Sequence, residues 1–194
     1  MKRNLALFFL SCAALSAQAV PWAVQVRNAA GQPMADAVVA VELNGRAAKT
    51  TTAKAEMGQR DKQFAPQLLV VQTGTAVNFP NFDSVRHHVY SFSPTKVFET
   101  KLYSGTPAEP IVFDKPGVAT LGCNIHDRMS AHIIVVDTPV FARTDASGIA
   151  RFDLPVGEHQ VKLWHISLKK DQLQAQSLSV TAAGGGQTAL SLVE

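Results

Sequence analysis

The sequence predicts an all-β protein built from small β-sandwiches, and three observations carry that reading. Short runs rich in Val, Ile, Thr and Phe recur along the chain, among them WAVQVRN, AVVAVELNG, QLLVVQTG, PIVFDKP and AHIIVVD. Such residues suit a pleated, half-buried surface. Turn punctuation separates the runs at Ala30-Gly31, Asn44-Gly45, Thr73-Gly74, Pro116-Gly117, Ser147-Gly148 and Val156-Gly157, the spacing of short sandwich strands. No segment holds an amphipathic helical period over about ten residues or more; only Lys49 to Lys62 allows a short helical turn.

Taken in order, the chain opens on an export signal. Lys2 and Arg3 precede the apolar stretch LALFFLSCAALS, and Ala17-Gln18-Ala19 supplies small residues at a cleavage point, so residues 1–19 have the three parts of a cleavable secretory signal. Cys12 leaves with it; acylation of Cys12 as a lipoprotein would need a longer apolar run and a better motif than Phe9-Leu10-Ser11. The mature chain starts at about Val20 and has about 175 residues, enough for one large or two small units. No later stretch approaches the roughly 20 apolar residues of a membrane span. The expectation is a soluble, monomeric protein in an oxidising compartment, the bacterial periplasm. The signal takes two of the 18 basic residues and none of the 15 acidic ones, leaving the mature chain at +1. That balance gives no electrostatic case for nucleic acid or an anionic membrane surface.

The strand-like runs fall into three stretches. VQVRNAAGQPMADAVVAVELNG comes first; QLLVVQTGTAVNFPN, HHVYSFSP, PIVFDKPGVATLGC and AHIIVVDTP fill the middle; RTDASGIARFDLPVGEHQVKLWH and QSLSVTAAGGGQTALSLV close the chain. The glycines at 184 to 186 read as a flexible hairpin loop, without the spacing that cradles phosphate.

The chemistry concentrates in GCNIHDRM, residues 122 to 129. Cys123, the one cysteine of the mature chain, has no internal disulfide partner, which leaves a buried thiol, an intermolecular bond or a metal ligand. His126 and Met129 share its short loop between two strands. Two imidazoles, one thiolate and a distant thioether are the set of a mononuclear copper electron-transfer site, and such a site needs a second histidine. FPNFDSVRHHVYSF supplies it. As a strand over 85 to 92, Val85, His87, Val89 and Ser91 share one face and Arg86, His88, Tyr90 and Phe92 the other. With the Val-His-Val face inward, His87 is the upstream candidate and His88 points away or across the loop; the Tyr-Phe face as core is the alternative. Blander roles stand beside these: Cys123 as a small buried hydrophobe, His132 as a surface or barrel-end residue, His159 and His165 as solvating or packing groups, Met34 and Met57 as packing, and Arg60, Lys62 and Lys169-Lys170 as solvated charges.

These residues carry a family resemblance. FAPQLLVVQTGTAVNFPNFDSVRHHVYSF followed by GCNIHDRMSAHIIVVDTP resembles the cupredoxins, small blue-copper proteins with a Greek-key β-sandwich, and especially the plastocyanin and amicyanin branch. The resemblance implies one type 1 copper ion, with His87, Cys123 and His126 as equatorial ligands and Met129 as the axial one. It also implies an electron carrier serving redox protein partners, with His126 as the exit edge. Relatives usually place Asn after the first histidine, where His88 stands here, and Asp127 and Arg128 give the loop a polar rim where relatives are apolar. No open metal position remains for a substrate. No Ser/His/Asp order, paired carboxylates or nucleotide loop stands out either, so an enzyme is not expected.

The flanks look like two parts of a carboxypeptidase-regulatory-like or transthyretin-like sandwich, marked by Gly31-Gln32-Pro33, Thr144-Asp145-x-x-Gly148, Leu154-Pro155-x-Gly157 and Trp164. The reading is an insertion, with residues 22–50 plus 139–194 as one sandwich and residues 51–138 as the copper unit; two units in tandem are the alternative. Two other functions compete: copper delivery or buffering, with His88 and His132 giving a second coordination mode, and a metal-free interaction module.

Overall fold

The computed structural model describes residues 19–107, 109–168, 172–181 and 184–193; residues 1–18 of the expected export signal, Cys12 among them, and the Lys169-Lys170 pair fall outside them. Among the described residues the protein is strand and loop, with a 3-10 turn at Leu43–Gly45. This is the all-β class expected, and no helix there is long and apolar enough to cross a membrane.

In chain order the strands are β1 (Ala19–Arg27), β2 (Val38–Glu42), β3 (Lys54–Glu56), β4 (Gly58–Arg60), β5 (Gln63–Ala65), β6 (Leu68–Gln72), β7 (Thr75–Asn78), β8 (Tyr90–Ser93), β9 (Lys96–Glu99), β10 (Ile111–Phe113), β11 (Gly117–Gly122), β12 (Ser130–Val136), β13 (Phe141–Arg143), β14 (Ile149–Pro155), β15 (Gly157–Trp164), β16 (Gln174–Val180) and β17 (Gly186–Ser191). The first two and last five make two sheets, β14-β1-β17 and β13-β2-β15-β16. Alternation along β1 turns Val20, Trp22, Val24 and Val26 inward, where they join Val39, Val41, Leu163 and Leu178 in one apolar core. The middle strands make the sheets β10-β7-β3 and β6-β12-β11-β8-β9 and the hairpin β4-β5.

Three strands of the five-stranded sheet, β6, β12 and β11, are covered on both faces. Ala131, Ile133 and Val135 of β12 enter a second core with Phe64, Val77, Phe79 and Phe113, whereas Ile134 and Val136 enter the first. On β11, Val118 faces one core and Ala119 and Leu121 the other; on β6, Leu68 and Val70 oppose Leu69 and Val71. A strand covered on both sides reads as an unbroken apolar run, which accounts for IIVV. Burying a side chain such as Ile134 or Ile133 contributes roughly 1.5–3 kcal/mol, so the sheet is held from both sides.

Three sequence expectations differ from the structure. The glycines at 184 to 186 close no hairpin, because β16 pairs with β15 and β17 runs parallel to β1 in the other sheet. Lys49 to Lys62 holds no helical turn: β3 runs parallel to β7, and β4 and β5 pair across Asp61 and Lys62, at φ 53° and 58°. Two successive residues of positive φ match the twist of a tight hairpin, but neither is the glycine or asparagine that usually announces one. The strand expected over 85 to 92 begins only at Tyr90, and Val85 is exposed. The predicted inward face survives in part, since His87, Val89 and Ser91 are all fully buried.

Candidate metal centre

Gly122 ends β11 opposite Tyr90, whose ring lies across it. A Cβ at Gly122 would stand 2.6 Å from the Tyr90 ring and hydroxyl, so glycine is what lets the two strands approach here. Cys123 follows and turns inward with Ala119 and Leu121. The loop over 123–129 closes when the Met129 N–H donates to the His126 carbonyl at 3.0 Å, and the chain returns into β12. On the other side of the site, His87 exchanges backbone hydrogen bonds with Tyr103, at 3.0 and 2.9 Å, and is fully buried.

This arrangement brings three predicted residues together. Cys123 Sγ lies 3.9 Å from His87 Nδ1 and 3.7 Å from His126 Nδ1, and the three donor atoms lie within 4.8 Å of one another. A divalent ion about 2.3 Å from sulfur and about 2.05 Å from nitrogen, with a trigonal angle between them, separates S and N by about 3.8 Å. The two observed separations straddle that value, so the donors fit a His2Cys ion, and their softness suits copper. Met129, 2% exposed, is packed in the same core as Cys123. His126 is half-buried, while Asn124, Ile125, Asp127 and Arg128 are exposed around it.

The remaining histidines have other partners. His88 turns to Glu99, Nε2 to Oε1 2.9 Å. His132 lies on the opposite face of the sheet, with Nδ1 3.2 Å from the Thr120 hydroxyl and its ring 5.2 Å from that of Trp164. His159 Nδ1 accepts the Asn44 N–H at 3.0 Å and Nε2 donates to the Pro155 carbonyl at 2.7 Å. His165 Nδ1 meets the Ser167 hydroxyl at 2.9 Å.

Sequence reasoning missed what stands behind His87. Asp83 Oδ2 is 2.7 Å from His87 Nε2. The same carboxylate accepts the N–H of Asp61 at 2.7 Å and of Lys62 at 2.9 Å. Burial acts to raise the Asp83 carboxyl, but the Lys62 N–H, the His87 ring and the Asp61 N–H outweigh it and hold it below the usual range. Asn81 organises the loop: its Oδ1 accepts the Asp83 N–H at 2.9 Å, and its Nδ2 donates to the carbonyls of Val85 at 2.8 Å and Tyr103 at 3.1 Å. Beneath it, burial pushes the Tyr103 hydroxyl up to about 12, and that hydroxyl donates to the Phe79 carbonyl at 2.6 Å and meets the Gln59 amide. The available signal was a carboxylate four residues ahead of a histidine in NFDSVRHH. The polar rim predicted from Asp127 and Arg128 is also incomplete, because Phe82, Val85, Leu102 and Ile125 stand 40–53% exposed on the site's loops.

No protein-family model matches this chain, and no curated protein matches it. Among solved structures, it is similar to a purple cupredoxin from Nitrosopumilus maritimus, with a TM-score of 0.37 and 24% identity over 43% of this chain and 98% of that one. It is also similar to a reduced variant of amicyanin, with a TM-score of 0.39 and 13% identity, and to an amicyanin variant in its Cu(I) form, with a TM-score of 0.39 and 14% identity. Each amicyanin match covers 50% of this chain and 97% of the other.

Proposed function

We propose that this chain is a periplasmic type 1 copper protein that carries single electrons between redox protein partners, with His87, Cys123 and His126 as equatorial ligands and Met129 as the axial one. The observation that carries the reading is one thiol and two imidazole nitrogens facing one another at 3.7 and 3.9 Å at the end of an apolar core. Copper bound there would supply a one-electron couple, in a ligand set known for electron transfer. The chain's own residues do the rest. Cys123, 6% exposed, keeps its sulfur away from water. His87 is anchored through its backbone and its far nitrogen, so its ring keeps one orientation. His126, half-buried on the loop, offers an edge to a partner, and its exposed neighbour Ile125 offers apolar contact beside it.

Export to the periplasm rests on the signal-like residues 1–19. The two-unit organisation, with residues 51–138 inserted between 22–50 and 139–194, draws support from the pairing of the earliest strands with the latest, β1 with β17 and β2 with β15. Copper delivery draws less, because His88 and His132 are directed to Glu99 and Thr120.

One equivalent of Cu(II) added to the mature protein is expected to produce an intense visible thiolate-to-copper band, bleached by reductant and restored by oxidant. Cys123→Ser is expected to abolish the band and leave the far-ultraviolet circular dichroism unchanged. A colourless wild type, or a serine variant that keeps the band, refutes the assignment; the former points to a metal-free interaction module.

A further inference from the structure

We propose that Asp83 sets the reduction potential of the centre and fixes its deepest ligand, by holding a clamped negative charge against the far nitrogen of His87; the inference rests on the copper reading above. The Asp83 carboxylate can only accept, so the 2.7 Å contact puts a proton on His87 Nε2, and in the neutral ring that leaves the lone pair on Nδ1. Nδ1 is the atom 3.9 Å from Cys123 Sγ. The contact therefore selects the tautomer that can bind a metal on the sulfur side.

The carboxylate is itself immobilised. Asp61 and Lys62, both in the left-handed region, aim consecutive backbone N–H groups at it, at 2.7 and 2.9 Å. Successive N–H groups converging in this way make a small anion-binding concavity. Here the anion is a side chain of the same protein. The hairpin β4-β5 is thus a bracket that grips Asp83, and Asp83 grips His87 from behind. The unusual backbone of a hairpin with no glycine in its turn has a role in this arrangement, since it points both donors at one carboxylate.

The charge has a direction of effect. The oxidised centre carries one more positive charge than the reduced one. A fixed anion one imidazole away stabilises the more positive state, and stabilises it more strongly where water is excluded. The same hydrogen bond raises the basicity of the ligand. Both effects lower the potential.

The test uses the mature protein and two variants. Asp83→Asn keeps an acceptor for Nε2–H but removes the charge. It is expected to favour the reduced centre about tenfold, an upward shift of about 59 mV for one electron, while nitrogen-15 NMR of the metal-free protein still shows His87 protonated at Nε2. Asp83→Ala removes both, and is expected to give mixed His87 tautomers and Zn(II) affinity lower by about 10–100-fold. If wild type shows the thiolate-copper band and Asp83→Asn leaves the potential unmoved, the potential-setting role fails and the carrier reading stands. If wild type shows no band, the carrier reading fails; the NMR and Zn(II) measurements then decide the positioning role alone, which is refuted by an Asp83→Ala variant with wild-type tautomer and affinity. Should Asp83→Ala not fold, the Asp83→Asn potential decides.

Discussion

The two apolar cores lie on opposite faces of the β6-β12-β11-β8-β9 sheet, and they treat their buried polar groups differently. In the core shared by β1, β2 and β15, Thr144 and His159 are used up by the backbone. Thr144 accepts the Ala37 N–H at 2.9 Å and donates to the Met34 carbonyl at 2.6 Å, and His159 spends both ring nitrogens on Asn44 and Pro155. In the other core, His87 spends one nitrogen on Asp83 and turns the second toward a thiol and another imidazole, at distances that suit a metal between them. A buried histidine with both nitrogens on the backbone is scaffold; one with a nitrogen aimed at other donors marks a site. Burial alone does not separate them, since His159 is 4% and His87 0% exposed.

Adjacent residues of β12 let the comparison be broken directly. Ile133 belongs to the core that holds Cys123 and Met129, and Ile134 to the other. Ile133→Ala and Ile134→Ala are each expected to cost about 2–5 kcal/mol in chemical denaturation. Under conditions where both variants stay folded, only Ile133→Ala should weaken Zn(II) or Cu(II) binding in a titration. Equal loss of metal affinity in the Ile134→Ala variant would show that the cores do not act separately.

A smaller effect is expected at the entry to the metal loop. Gly122→Ala drives a methyl against the Tyr90 ring, where a Cβ would come to 2.6 Å, and overpacking of this kind costs about 1–3 kcal/mol. Thermal denaturation should register the loss, and adding Tyr90→Ala should recover part of it. No recovery in the double variant would mean that Tyr90 is not the obstacle.

The smallest effect lies on the far side of the shared sheet. The Arg151 guanidinium, then the Ile149 N–H, hold the Asp145 carboxyl below its ordinary 3.8. A carboxyl lowered on folding stabilises the native state fully above its unfolded value and loses that contribution as the pH falls through the folded one. The melting-temperature gap between wild type and Asp145→Asn, present at neutral pH, should therefore close as the pH drops below 3.8. A gap that widened in acid would contradict the assignment.

Much of this was readable in the residues. The alternation of β1 and the apolar run of β12 follow from side-chain burial on one face or two, and the spacing of Cys123 and His126 pointed to the loop that brings them together with His87. His87 rather than His88 followed from period-2 geometry, although the strand itself starts three residues later. What stayed hidden depends on contacts distant in sequence or on backbone angles. Asp83 matters because Asp61 and Lys62 reach it from 22 and 21 residues away. The hairpin that positions them carries none of the residues that normally advertise positive φ.

The shared sheet also bears on inheritance. Leu68, Val70, Val118, Ile134 and Val136 form a strip that the strands from the two ends of the chain keep dry. A gene fragment encoding only residues 51–138 would expose that strip to water, and contiguous apolar patches of this kind promote self-association. A fragment joining the two ends without the middle would leave Val24, Val39 and Leu163 short of a neighbour. Recombination that moves the metal loop to another gene therefore has to carry both flanks along, or replace the lost surface with polar residues in the same step.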